Sequence, residues 1–396
     1  MSTSALVVAL QSVGTAATLA AGGVYLHRRI GIEDKMPLAR FSQHIALPCF
    51  FFSKLVACSD ETTCPTMEIP LILFLWPLYV VGLGLAVSSL ASRWIPPQHR
   101  ILATVAITFA NATALPVTLL GTTEWDVNAL FSVYCLLYPM LLWGYGGWLL
   151  QQQKHEHVDN SKTSEEFGDD DDDDDDDDAS LIVKTGDIEL APSNEATQVS
   201  SPTVPERSRI ETSLWERTRS FLSKVIHPPV IGSLLGLFVL AIRPLRLLLA
   251  PSDAPLAFWF RGIATLGQAT VPISMTLLGM NLSRAARLNE RLDGRTIVAV
   301  LVGKLLVLPL LGFASVLVLL QVWEFPPTSS DARTPTLLVL LIEFIPPTAN
   351  NVMIMVEVFG SHHKEQMALL IGWQYVVSPL VLSLTFSAVV HLATRM

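Results

Sequence analysis

The sequence predicts an all-α polytopic membrane protein whose ten helices form two inverted repeats of five, with the fourth and ninth helices broken. Three observations lead there. Hydrophobic residues make up 51% of the chain and charged residues only 15%, whereas soluble domains carry roughly a quarter charged residues. The apolar residues fall in ten blocks near the length of about 20 residues that a bilayer crossing needs. Five blocks precede a long polar stretch and five follow it, and because five is odd the second unit must enter the membrane with opposite polarity, as in an inverted-topology repeat.

The blocks run over 4–25, 38–58, 69–90, 101–120, 127–150, 229–249, 256–282, 297–322, 336–359 and 366–393. The first is not a cleaved signal, because no basic residue precedes it and His27, Arg28 and Arg29 follow it, the reverse of a signal peptide. By the positive-inside rule those basic residues are cytosolic and the amino terminus is lumenal or extracellular. Alternating onward, the cytosolic connections hold Arg28, Arg29, Lys35 and Arg40, then Arg93 and Arg100, then Arg284, Arg287, Arg291 and Arg295, then Lys364. The opposite side holds Arg243, Arg246 and Arg333, with Asp60, Glu61 and Glu68 making one connection acidic. Arg243 and Arg246 run against the rule. Cys49 and Cys135 lie inside spans, while Cys58 and Cys64 flank a short loop on the oxidising side and form the one pair able to make a disulfide. No metal-ligand spacing occurs, and no metal or cofactor is implied.

Residues 1–151 thus form a first five-helix repeat, 152–224 a cytosolic loop, and 225–396 a second repeat. The loop carries 20 of the 35 acidic residues and 8 of the 26 basic ones, including ten consecutive aspartates from Asp169 to Asp178. Such a composition buries too little apolar surface to fold, so a disordered tether is expected. The remaining 15 acidic and 18 basic residues leave the membrane part slightly positive, and the net charge of −9 says nothing about a substrate or a nucleic acid. Ile210, Leu214, Trp215, Phe221, Leu222 and Val225 recur at about helical spacing among Arg217, Arg219 and Lys224, which suits an amphipathic helix on the membrane surface.

The fourth block is interrupted by Asn111-Ala112-Thr113-Ala114-Leu115-Pro116 and the ninth, at the matching position of the other half, by Ile345-Pro346-Pro347-Thr348-Ala349-Asn350-Asn351. Proline removes a backbone donor and clashes with the preceding turn, and the backbone groups so freed survive at membrane depth only where they line a cavity or meet protein. Asparagine offers a donor and an acceptor, and the start of the following half-helix carries partial positive charge. Asn111, Asn350 and Asn351 are therefore the candidate ligands of an anionic, amphipathic molecule. Pro116, Pro346 and Pro347 shape the pocket, and Leu115, Ile345 and Val352 form its apolar wall.

These runs, together with ATVPISMTLLGMNLSR at 269–284, LPCFFFSKL at 47–55 and HPPVIGSLLGL at 227–237, resemble the auxin efflux carrier superfamily, and the PIN-LIKES type within it. The resemblance covers both membrane halves and leaves the acidic loop unmatched. It departs from the usual pattern in NATALP, where glycine-containing versions are usual, and in the doubled asparagine. It implies two inverted repeats whose fourth and ninth helices cross at a substrate site, a fold similar to bile-acid symporters and sodium/proton antiporters. It also implies that Ser53 is a small polar residue lining the pocket, and that a small organic anion such as an indole acetate is moved by alternating access.

Ionisable residues inside spans are costly in lipid and functional by default. Glu343, three residues before Pro346, is the candidate coupling carboxylate, or else a structural partner of Lys304. Lys54 is expected to snorkel, His44 to be buried and hydrogen-bonded, and Leu338 to face lipid. No metal-binding histidine pair, GxSxG elbow or aspartate dyad lies inside the spans, so an enzyme is disfavoured. The alternatives are a cation- or proton-coupled antiporter or organic-acid symporter of the same fold, and a non-transporting sensor or scaffold. The expected partners are the bilayer and the organic anion, with a homodimer as the assembly to test, and the endoplasmic reticulum membrane is favoured over the plasma membrane. A protease site inserted beside Asp174 is predicted to be cut only by protease added from the cytosolic side, and protection from that side would reverse the topology.

Overall fold

The computed structural model describes residues 3–31, 36–57, 68–121, 123, 125, 127–152, 228–250, 253–285, 292–322, 330–359 and 364–395. The acidic loop, the amphipathic stretch after it and the Cys58–Cys64 pair fall outside these residues. Met1–His155 and Leu222–Met396 make one compact unit. The described residues contain helices and no strands, apart from a single isolated bridge between Ala110 and Thr348.

In chain order the helices are α1 (Thr3–Tyr25), α2 (Met36–Phe41), α3 (Leu47–Val56), α4 (Glu68–Ala91), α5 (Arg100–Thr108), α6 (Ala114–Leu120), α7 (Asn128–Met140), α8 (Pro228–Ala241), α9 (Arg243–Leu249), α10 (Ala257–Gln268), α11 (Thr270–Ala285), α12 (Gly294–Val302), α13 (Leu308–Val322), α14 (Ser330–Ile342), α15 (Asn350–Phe359) and α16 (Lys364–Arg395). Short π-helical turns at Ser42–Ala46 and Gly303–Val307 join α2 to α3 and α12 to α13. Among the described residues, six continuous stretches are long and apolar enough to cross a membrane: Leu6–Ile30, Leu71–Ala91, Ala129–Gln152, Ala257–Arg284, Gly294–Gln321 and Lys364–Thr394. The protein is an integral, polytopic membrane protein.

The other four apolar blocks depart from that description, each for a local reason. The second is helical over 36–56 but carries Arg40, Gln43, His44 and Lys54 on a short span. The fourth and ninth are broken between α5 and α6 and between α14 and α15. The sixth, expected as one run over 229–249, bends by 107° between α8 and α9. At the bend Ile242 is extended, with φ −103° and ψ 90°, and Pro244 lies in the first turn of α9. Proline fits there because a first-turn amide has no helical acceptor to lose, whereas inside a continuous helix its ring would meet the carbonyl four residues back. Arg243 and Arg246, which violated the charge rule, lie on this turned-away helix.

Lipid tails are as apolar as leucine, so membrane helices associate through close packing, and small residues mark the contacts. Helix α1 packs on α11 and α16, and α3 packs on α8 and α10. A side chain on Gly279 of α11 would run into the Ala20 carbonyl of α1, and one on Gly23 into the Thr276 carbonyl of α11. Gly232 of α8 approaches the backbone of Pro48 in the same way. At the centre, Leu337 to Ile345 are buried without exception, so Leu338 faces the protein interior and not lipid. His44 also reverses its expectation, being exposed.

Replacing Gly279 with Val is therefore predicted to destabilise the fold by about 1–3 kcal/mol, the usual cost of overpacking. Gly262→Val, where nothing lies within 4 Å, should leave thermal unfolding of the purified protein unchanged. Equal unfolding temperatures for the two variants would contradict the close α1–α11 contact.

Candidate functional site

The site begins where two helices stop. Helix α14 ends at Ile342, four residues before Pro346, the residue whose carbonyl the proline ring would strike. The chain is then non-helical over 343–349, and Pro346 and Pro347 contribute no amide. In the other half α5 ends at Thr108, Phe109 turns extended at φ −95° and ψ 105°, and α6 restarts at Ala114. Pro116 falls in the first turn of α6, where its missing amide costs nothing.

The two interruptions satisfy each other. Asn111 donates its backbone amide to the Pro347 carbonyl at 2.8 Å, and Ala349 donates to the Phe109 carbonyl at 3.1 Å, which closes the antiparallel bridge between Ala110 and Thr348. Side chains take up groups the bridge leaves over. The Thr348 amide donates to Gln374 Oε1 at 2.9 Å, and the Thr348 hydroxyl lies 2.5 Å from the Ala106 carbonyl. Tyr138 donates to the Ala110 carbonyl at 2.5 Å, Lys304 Nζ to the Ile107 carbonyl at 2.8 Å, and Tyr375 to the Thr348 carbonyl at 3.3 Å.

Around this crossing the three asparagines converge. Asn111, Asn350 and Asn351 line one small cavity with Ser42, Gln43 and Ser274. Its volume is about 20 Å³, room for roughly one water, so the conformation is closed around its polar centre. Each asparagine is engaged: Asn111 Nδ2 donates to the Tyr375 hydroxyl at 2.8 Å, Asn350 Oδ1 accepts from Asn281, and Asn351 Oδ1 accepts from Gln43 Nε2 at 2.8 Å. The polar cavity is thus bounded by side chains already hydrogen-bonded within the protein. Beside it, an apolar cavity of about 260 Å³ between α1, α11 and α16 is walled by Ala20, Leu115, Met275, Leu278 and Tyr375. Tyr375 lines the apolar cavity, and its hydroxyl accepts from Asn111, which lines the polar one.

Not every expected residue arrives. Ser53 is buried on α3 and donates to the Phe50 carbonyl at 3.0 Å, and it lines neither cavity. The three prolines shape the breaks without lining the polar cavity. Of the expected apolar wall, Leu115 lines the larger cavity while Ile345 and Val352 are packed in the core. Glu343 is the first residue beyond α14 and is fully buried, yet neither carboxylate oxygen accepts a hydrogen bond. The groups facing it are the Tyr134 hydroxyl, the Lys304 ammonium, Tyr138 and Cys135. Lys304, equally buried, thus stands between a carboxylate and the carbonyl of a broken helix. Gln43, Asn281, Lys304, Gln374 and Tyr375 were missed as site residues. Their one signal in the sequence is a polar group inside an apolar block.

A family model described as "Membrane transport protein" matches residues 30–386. The chain belongs to that membrane transport family. Curated relatives include three proteins of Arabidopsis thaliana. PIN-LIKES 5 is 24% identical over 218 residues, covering 54% of this chain and 53% of the relative. PIN-LIKES 2 is 33% identical over 167 residues, covering 42% of this chain and 35% of the relative. PIN-LIKES 7 is 27% identical over 174 residues, with 42% of each covered. The matches thus span about half or less of these relatives. They bear out the PIN-LIKES resemblance read from the motifs.

Removing one of two facing buried ionisable groups leaves the other without its counterpart, at about 3–5 kcal/mol for a charged group, whereas replacing both is often neutral. Lys304→Met is predicted to lower the unfolding temperature sharply, and Lys304→Met with Glu343→Leu to recover most of the loss. Additive losses in the double variant would show that the two charges do not interact.

Proposed function

We propose that this protein is a secondary carrier moving a small amphipathic organic anion, such as an indole acetate, across its membrane by alternating access. In this reading 1–151 and 225–396 are inverted five-helix repeats, 152–224 is a cytosolic tether, and the two broken segments are the crossed fourth and ninth helices. The observation that carries it is the convergence of Asn111, Asn350 and Asn351 on a cavity between two mutually paired helix breaks. Helix starts of this kind face anionic groups in carriers built from repeats. The carboxylate would accept from Asn111 Nδ2 in place of the Tyr375 hydroxyl and from Asn350 Nδ2, whose amide oxygen stays on Asn281, and the ring system would lie against Leu115 and Met275. Because the polar cavity is closed, binding must widen it. That requirement couples substrate to conformation, since a ligand shifts an equilibrium only through its different affinity for the two states.

A proton-coupled form of the same carrier is favoured by Glu343. Glu343 is fully buried with the Tyr134 hydroxyl and the Lys304 ammonium facing it, and protonation would let it donate toward Tyr134. Glu343→Gln, which mimics the protonated form, should then abolish the response of flux to a pH gradient while preserving exchange at equal pH.

Replacing Asn111 or Asn350 with Ala removes a hydrogen bond to a charged group, worth about 1.5–3 kcal/mol. Apparent affinity for labelled indole acetate in proteoliposomes should therefore fall about tenfold or more. Leu310→Ala, on a side chain that is 67% exposed, serves as the control. Equal affinities in all three variants would remove the asparagines from the site, and absence of flux in the unmodified protein would favour a sensor or scaffold.

A further inference from the structure

An open groove lies away from the crossover. It has a volume of about 840 Å³ and runs between the end of α4 and the length of α12, continuing past Gly303 to Val307. Its walls are apolar: Leu90, Val298 and Val302 line it with 54%, 58% and 42% of their surfaces exposed. Its polar groups sit at one end, where Arg93 follows α4 and Arg295 opens α12. Trp94, also lining it there, is 70% exposed. Both arginines are exposed, and among the described residues neither is ion-paired.

We infer that this groove binds an anionic phospholipid, with the phosphate and headgroup at Arg93 and Arg295 and an acyl chain along α12. The dimensions fit. From Arg295 to Val307 a helical path rises about 18 Å, and one leaflet of a bilayer core of about 30 Å is roughly 15 Å deep. An apolar channel one leaflet deep, open along its side, with cations only at its mouth, suits a lipid better than a soluble anion, which would need polar partners along its length. Tryptophan beside the arginines suits headgroup level. The charge rule puts both arginines in cytosolic connections, and anionic lipid is concentrated in that leaflet.

The groove also reaches the transport machinery. A side chain added at Gly303, in its floor, would lie 3.3 Å from Ile107 Cδ1, and the next residue, Lys304, bonds the Ile107 carbonyl at the first break. A lipid held there packs against the turn that carries the buried lysine.

The test uses the full-length purified protein, native mass spectrometry and thermal unfolding, with dioleoyl phosphatidylserine and dioleoyl phosphatidylcholine as probes. Each basic residue near the surface contributes about fivefold to anionic-lipid binding, so phosphatidylserine should be retained about tenfold or more over phosphatidylcholine and should raise the unfolding temperature. Arg93→Gln with Arg295→Gln should abolish that preference, Arg93→Lys with Arg295→Lys should keep most of it, and Val298→Trp should displace lipid of either kind. Equal retention of the two lipids would overturn the inference. So would a preference that survives the Gln pair or the Trp variant, or cover of the groove by a second copy of the chain.

Discussion

Backbone that leaves a helix at membrane depth must find partners for its amides and carbonyls within the protein, because lipid offers none. In this chain two such departures, at 109–113 and 343–349, meet that requirement largely through each other. The two amides exchanged between Asn111 and Pro347 and between Ala349 and Phe109 fix where α5, α6, α14 and α15 stand. The buried residues from Leu337 to Ile345 then surround the junction with a core that excludes water. Gln374, Tyr375, Tyr138 and Lys304 follow from the same constraint, each a polar side chain brought into the interior to answer one leftover backbone group.

The same requirement explains why the candidate site is closed. A cavity lined by three carboxamides would be expensive to leave unpaired in a low dielectric, and here the amides are paired, with Tyr375, Asn281 and Gln43. In the proposed carrier, substrate would compete with these internal hydrogen bonds rather than fill a vacancy, and Tyr375, which lines the apolar cavity and accepts from Asn111, would connect the two cavities. The Lys304–Glu343 neighbourhood lies behind the first break, where a change of charge would act on the backbone that holds Asn111.

Much of this was legible in the sequence because proline and asparagine fall close together in the fourth and ninth blocks, and that pairing at matching positions marked both breaks and three of the lining residues. Proline alone would not have done so, since Pro77, Pro139 and Pro379 sit inside continuous helices. Gln374 and Lys304 were not readable as site residues, since the carbonyls and amides they serve belong to segments some 26 and 197 positions away. The bend at Ile242 was hidden by composition: Pro244 stands in an apolar run that reads as continuous, and only the direction of α9 reveals the new start. Leu338 was misplaced because the face a membrane helix turns to its neighbours is set by packing against small residues such as Gly232 and Gly279 and not by hydropathy, while Ser53, expected from the family resemblance alone, is turned to the Phe50 carbonyl of its own helix.

Substrate binding is proposed at the crossing of the two breaks. It is tested most directly by placing a cysteine at Ser274, which lines the crossover cavity, in a background lacking the four native cysteines, and timing its reaction with a small thiol reagent. Indole acetate should slow that reaction several-fold, at concentrations that saturate transport, while leaving a cysteine at Leu310 unaffected. An unchanged rate at Ser274 under saturating substrate would place binding elsewhere.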